Sequence, residues 1–132
     1  MKPLAIWLLV VAAVFAILAV VATMLPTDTK RVFVVVDSSF PMREVWDDVD
    51  DELDRIDNRD DAEFALATEK DFIHTWRDEL RLGSVEPFAP CTFEGIDASA
   101  EVIEADSLIL ITTSKSCDSS QFVDWEIRHL DP

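Results

Sequence analysis

Glycine is almost missing from this chain: Gly83 and Gly95 are the only two in 132 residues. A phosphate-cradling loop needs closely spaced glycines to bring several backbone N–H groups together, and two isolated ones cannot build it. The same shortage denies the acidic stretch at residues 47–54 the invariant glycine of an EF-hand, and its ligand spacing is also wrong. Cysteine is equally scarce. Cys91 and Cys117 give no zinc-ligand spacing, and neither stands near the N-terminal apolar run, which argues against a lipidated anchor. A Gly-x-Ser-x-Gly nucleophile elbow is absent as well. The third shortage is of positive charge, with 11 Lys and Arg against 27 Asp and Glu and a net charge of −16. All but Asp28 of those carboxylates, and all basic groups but Lys2, Lys30 and Arg31, lie in residues 32–132, 26 acidic against 8 basic. That balance excludes binding along a nucleic-acid backbone, which needs the opposite sign. It also disfavours lying flat on an anionic lipid surface. Basic proteins or cations are the partners it favours, and solubility alone accounts for much of it.

What the chain does have is one long hydrophobic run. Residues 4–25 carry no charge. As a helix at about 1.5 Å per residue they cover about 33 Å, enough for a hydrocarbon core of about 30 Å. Pro26 stops the run. A secretory signal peptide is the rival reading, with Lys2 as a basic start and Val20-Val21-Ala22 as a small-residue cleavage site. The run exceeds the roughly 7–15 residues of a signal core, which favours an uncleaved anchor. The expected organisation is an anchor at 1–25, a polar tether at 26–31 and one small domain at 32–132. Basic residues flank both ends of the anchor, so the positive-inside rule gives no direction. The two cysteines favour an extracytoplasmic domain, where a disulfide persists.

Within the domain, residues 32–36 are a continuous β-branched and aromatic run, the mark of a strand covered on both faces. Residues 43–57 repeat Val45, Val49, Leu53 and Ile56 at helical spacing, with Trp46 at the border. Asp47, Asp48, Asp50, Asp51, Glu52 and Asp54 fall on the remaining faces and read as a solvated surface. Strands follow at 62–68 and 72–76, joined by a turn at Lys70-Asp71 as a hairpin that carries His74. Residues 77–95 are irregular, 96–105 a short helix, 107–112 a fourth strand and 122–130 a final helix. The order β-α-β-β-α-β-α predicts an α/β fold: a small three-layer open sheet of about four strands with helices on both faces. Ligands of such sheets bind beyond the carboxyl ends of the strands where strand order reverses, which is where Asp37 falls.

Three segments resemble the von Willebrand factor type A domain. The run into Asp37-Ser38-Ser39-Phe40-Pro41-Met42 is similar to that family's Asp-x-Ser-x-Ser-Met loop. Phe64 to Thr68 and the hairpin at 72–76 are similar to its second and third strands. Cys91 to Ile96 stands where the family has a Gly-Gly-Thr segment, and Leu108 to Thr113 where Ile-Thr-Asp-Gly is usual. The resemblance spans nearly all of residues 32–132, without the two further strand-helix units of the family. It implies a metal-ion-dependent adhesion site, usually for Mg2+, with Asp37, Ser39 and Thr92 as its matching residues. Pro41 replaces the second serine and Thr113 the late aspartate, so one hydroxyl and one charge are gone and affinity should fall. A Thr113 hydroxyl would restore one contact. Without metal, Asp37 and Ser39 would serve as caps of the following helix. The resemblance also brings Cys91 and Cys117 to one edge of the sheet, close enough to bridge. The alternative is a nucleophilic cysteine with His74 or His129 as base.

The expected function is a membrane-anchored, non-catalytic domain that binds another protein, such as a subunit of a membrane complex, with a degenerate metal site. A cation-dependent adhesion or sensing module using Asp37, Ser39 and Thr92 is the second reading. An enzyme pairing Asp37 with Glu94 or Asp118 is the third.

Overall fold

The structure is a computed structural model that describes residues 2–25 and 28–132. Helix α1 spans Pro3–Met24, with proline at its start and no buried residue anywhere along it. It is long and apolar enough to cross a membrane, a test that a signal sequence near an N-terminus also passes. The expected stop at Pro26 and the first two residues of the tether lie outside the described residues. Its last two residues do not stay a tether: strand β1 spans Lys30–Val36 and so begins two residues before the apolar run.

Beyond β1 the elements are a 3-10 helix at Phe40–Val45, α2 at Trp46–Asp57, β2 at Ala62–Thr68 and β3 at Phe72–Arg77. A short 3-10 turn at Ile96–Ala98, α3 at Ala100–Glu104, β4 at Ser107–Thr112 and β5 at Glu126–His129 complete the chain. The fold is α/β, with one five-stranded mixed sheet in the order β3-β2-β1-β4-β5. β1 lies parallel to both β2 and β4, β4 parallel to β5, and only β3 runs antiparallel, as the hairpin partner of β2. Strand order therefore reverses on either side of β1.

The unbroken apolar runs work as a two-faced code. Val32, Val34, Val36, Phe64, Leu66, Ile109 and Ile111 pack on one face, beneath Val49, Leu53 and Ile56 of α2. Phe33, Val35, Ala65, Ala67 and Leu110 pack on the other, beneath Phe93, Ile96 and Phe122. Each of these side chains leaves water almost completely, worth about 1.5–3 kcal/mol apiece for the larger ones. Gly95, at φ +81°, turns the chain into the 3-10 turn that covers this second face, a left-handed position a side chain would strain.

Three expectations fail. The helix at 96–105 is a 3-10 turn at Ile96–Ala98 and a separate helix at Ala100–Glu104, parted at Ser99, whose backbone is extended. The final helix at 122–130 is instead a turn followed by the four-residue strand β5, so the sheet has five strands and not four. Its apolar spacing is ambiguous, and alternation won: Trp125 and Ile127 pack on the second face while Leu130 packs on the first. Glu52 is also not solvated. It is 3% exposed and receives Arg55 at 2.8 Å and Arg128 of β5. The charge of α2 thus fastens the edge strand that the helical reading missed.

Candidate functional site

The C-terminal end of β1 delivers Asp37 into the crevice where strand order reverses. Its N–H still donates to the Ile111 carbonyl at 2.8 Å, so the residue is held as the next rung of the β1–β4 ladder. The side chain is fully buried, and both carboxylate oxygens are engaged. Oδ1 accepts the Ser39 N–H at 2.9 Å and the Ser39 hydroxyl at 2.6 Å. Oδ2 accepts the Thr112 hydroxyl at 2.7 Å and the Ser116 hydroxyl. The Ser39 and Ser116 oxygens sit 3.3 Å apart across the carboxylate. A buried carboxylate without a cation beside it survives only when donors replace its water, and here four donors do so.

A second buried carboxylate stands next to it. Glu69, just past β2, accepts the Ser38 N–H at 2.7 Å and the Ser38 hydroxyl at 3.1 Å. Lys70 pairs with the other oxygen of Glu69 and donates to the Ser38 carbonyl at 3.1 Å. Its ammonium also lies 4.6 Å from the centre of the Phe88 ring. The loop after β1 is then laced to residues 88–89, with Phe88 N–H on the Ser38 carbonyl at 2.8 Å and Phe40 N–H on the Ala89 carbonyl at 3.0 Å. Phe40 and Phe88 remain half exposed above this lattice.

Cys91 and Cys117 form a disulfide, with Cα atoms 5.7 Å apart. Both sulfurs are therefore committed, and the nucleophile reading lapses. His74 has its Nδ1 against the Thr75 carbonyl at 2.8 Å and its Nε2 buried without a hydrogen-bond partner, and it shares no hydrogen bond with either cysteine among the described residues. The bridge ties the segment before Thr92 to the loop carrying Ser116, directly beside Asp37.

Of the expected metal residues, Asp37 and Ser39 are brought into contact. Thr92 is exposed and shares no hydrogen bond with either among the described residues. Thr113 donates to Asp131 at 3.0 Å, away from Asp37, whereas its neighbour Thr112 donates to Asp37. Ser114 adds two further bonds to the same Asp131 oxygen. These bonds, with the Ser114 hydroxyl contributing most, hold the Asp131 carboxyl below the usual aspartate range. The capping expectation fails too: Ser39 occupies the cap of the 3-10 helix but makes no side-chain cap bond, since its hydroxyl goes to Asp37. Glu94 and Asp118 are both exposed and share no hydrogen bond with Asp37 among the described residues. The residues that sequence reasoning missed are Thr112, Ser116, Glu69 and Lys70.

The donor set fits a magnesium ion poorly. One carboxylate supplies the only charge, three hydroxyls point their hydrogens at it, and Thr92 stands apart. Among the described residues no three His, Cys, Asp or Glu side chains converge as a metal set. Compared with known protein families, with curated proteins and with solved structures, the chain matches none.

Proposed function

We propose that this chain is a non-catalytic protein-interaction domain, similar to the von Willebrand type A domain with a degenerate metal site, and held at a membrane by α1. The observation that carries it is the saturation of Asp37. A carboxylate whose four hydrogen-bonding positions are filled by its own chain is built to fix a loop, not to exchange protons or ligands. What that loop presents outward is half-exposed aromatic surface, Phe40 and Phe88, of the kind that anchors protein interfaces.

The direction of display follows from the parallel strands. The chain enters β1 at Lys30, six residues after α1 ends at Met24, a span of at most about 20 Å. All four parallel strands share the direction of β1, so their amino ends face the tether. Seven residues of strand carry the chain about 23 Å onward. The loops bearing Asp37, Phe40 and Glu69 thus stand at the end of the domain away from the bilayer. The disulfide favours the extracytoplasmic side.

Photo-crosslinking in intact membranes tests this, with the photoreactive amino acid p-benzoylphenylalanine in place of Phe40 or Phe88. A discrete protein adduct, a second copy of this chain included, is the expected result. Adducts to lipid alone at both positions sink the proposal.

The oxygens around Asp37 favour one second reading, a divalent-cation module. Ser39 and Ser116 hydroxyls straddle the carboxylate, and turning their lone pairs inward would offer three oxygens to a hard cation. Calorimetric titration of the full chain with Mg2+, Mn2+ and Ca2+ decides it. No saturable heat is expected at millimolar cation; a saturable signal lost in Asp37→Asn establishes the module.

A further inference from the structure

A cleft of about 190 Å³ opens on the second face of the sheet, beside the Asp37 loop, with Glu69 and Lys70 of that loop's hydrogen-bond lattice in its lining. Its floor and walls are Phe33 and Val35 of β1, Ala67 of β2, Phe72 of β3 and Ile96 of the covering turn. Ala67 is the smallest side chain that the sheet contributes to this lining. At this position of β2 a larger side chain would fill the gap between the sheet and the turn at residues 95–96. The volume suits one branched or aromatic side chain, since a cavity of about 150 Å³ accommodates benzene. Ser99 stands in the wall and keeps its hydroxyl buried without any hydrogen-bond partner, so the fold leaves one polar group there unspent.

The rim is acidic. Asp71 and Glu94 are exposed at its edge, while Glu69 is neutralised by Lys70. The rest of the domain adds to this sign, with 26 acidic against 8 basic side chains beyond residue 31. A long-range field of one sign draws oppositely charged partners and repels like ones, whereas an apolar floor selects for a side chain that leaves water.

We infer that this cleft receives a single leucine-sized apolar side chain from a basic segment of a partner protein, with lysine or arginine beside it to meet Asp71 and Glu94. The inference rests on the interaction reading above and names the chemistry of the partner. The apolar side chain supplies the affinity specific to the cleft, and the flanking cations supply orientation and rate of encounter. A purely electrostatic contact would not distinguish an apolar centre from a polar one.

The test uses the isotope-labelled full chain in lipid nanodiscs, titrated with Gly-Lys-Leu-Lys-Gly, Gly-Lys-Ser-Lys-Gly and Gly-Glu-Leu-Glu-Gly and followed by amide chemical shifts. The expected result is that the first peptide binds about tenfold more tightly than the second, with shifts confined to residues 33–35, 67–72 and 94–99. The acidic peptide should not bind. Ala67→Leu should fill the cleft and remove the preference for leucine over serine. Glu94→Lys, on the surface and harmless to the core, should weaken the first peptide severalfold. Equal binding of the leucine and serine peptides, or shifts spread along the acidic face of α2, overturns the inference. So does a leucine preference that persists in a folded Ala67→Leu. Crosslinking at Phe40 needs no occupancy of the cleft, so it reads the interaction proposal separately from this one.

Discussion

Reduction of the Cys91–Cys117 bridge is expected to lower the stability of the domain by about 3.5 kcal/mol. The bond joins residues 26 apart in sequence, and closing a loop of that size removes about this much entropy from the unfolded chain. For a domain of roughly a hundred residues the loss corresponds to a fall in melting temperature of roughly 15 °C. Two measurements should agree: thermal unfolding of the native chain with and without reductant, and unfolding of the Cys91→Ala/Cys117→Ala double variant. Agreement separates the crosslink from the packing of the sulfurs against the second apolar face. The loss should also be local. Ser116 precedes one sulfur, and the segment that binds Phe40 and Ser38 through Ala89 and Phe88 precedes the other. Hydrogen exchange at Ser39, Phe40 and Phe88 should accelerate more than at the centres of β1 and β4. An unchanged melting temperature on reduction would show that the core holds these loops unaided.

The bridge also illustrates what the sequence made legible. The strands with unbroken apolar runs, β1, β2 and β4, were plain because both faces of each are covered, and the stripe of α2 was plain because only one face is. β5 was hidden by its brevity. Four residues give two alternations, and Phe122, Trp125, Ile127 and Leu130 satisfy a helical spacing about as well. Glu52 was hidden because a buried carboxylate is invisible until its partner Arg128 is placed opposite. Asp37 was found by its position after a buried strand, but at the end of β4 it was Thr113 that was considered for the site, where Thr112 makes the contact. Parity would have corrected this. Val36 pairs with Ile111, so Asp37 stands opposite Thr112, on the same side of the sheet as Val35 and Leu110; Thr113 falls on the other side. Ser116 had no comparable signal, because a loop of irregular backbone places it. Lys70 looked like a turn residue and Glu69 carried no signal, and nothing in the sequence showed that together they grip Ser38 across 31 and 32 residues.

Asp37→Ala should be the most damaging single substitution in the candidate site, at about 3–5 kcal/mol. It removes the acceptor for three hydroxyls and one backbone N–H, all of them at the end of the central strand. Hydrogen bonds to a charged group are worth about 1.5–3 kcal/mol each, and a buried donor left unpaired costs about 1–3 kcal/mol. The sum is reduced because burying the carboxylate itself is unfavourable, and removing it relieves that term. Asp37→Asn should cost less, about 1–2 kcal/mol: its carbonyl still serves Ser39, and the Thr112 and Ser116 hydroxyls rotate to accept from the amide. Denaturant unfolding of both variants gives the ratio, and comparison with crosslinking at Phe40 gives its meaning. If Asp37 fixes a loop, the asparagine variant keeps both its fold and its crosslinked partner, while the alanine variant loses both in proportion. A folded asparagine variant that has lost the partner would instead place the negative charge itself in the interface, and the second, cation-dependent reading would then displace the first.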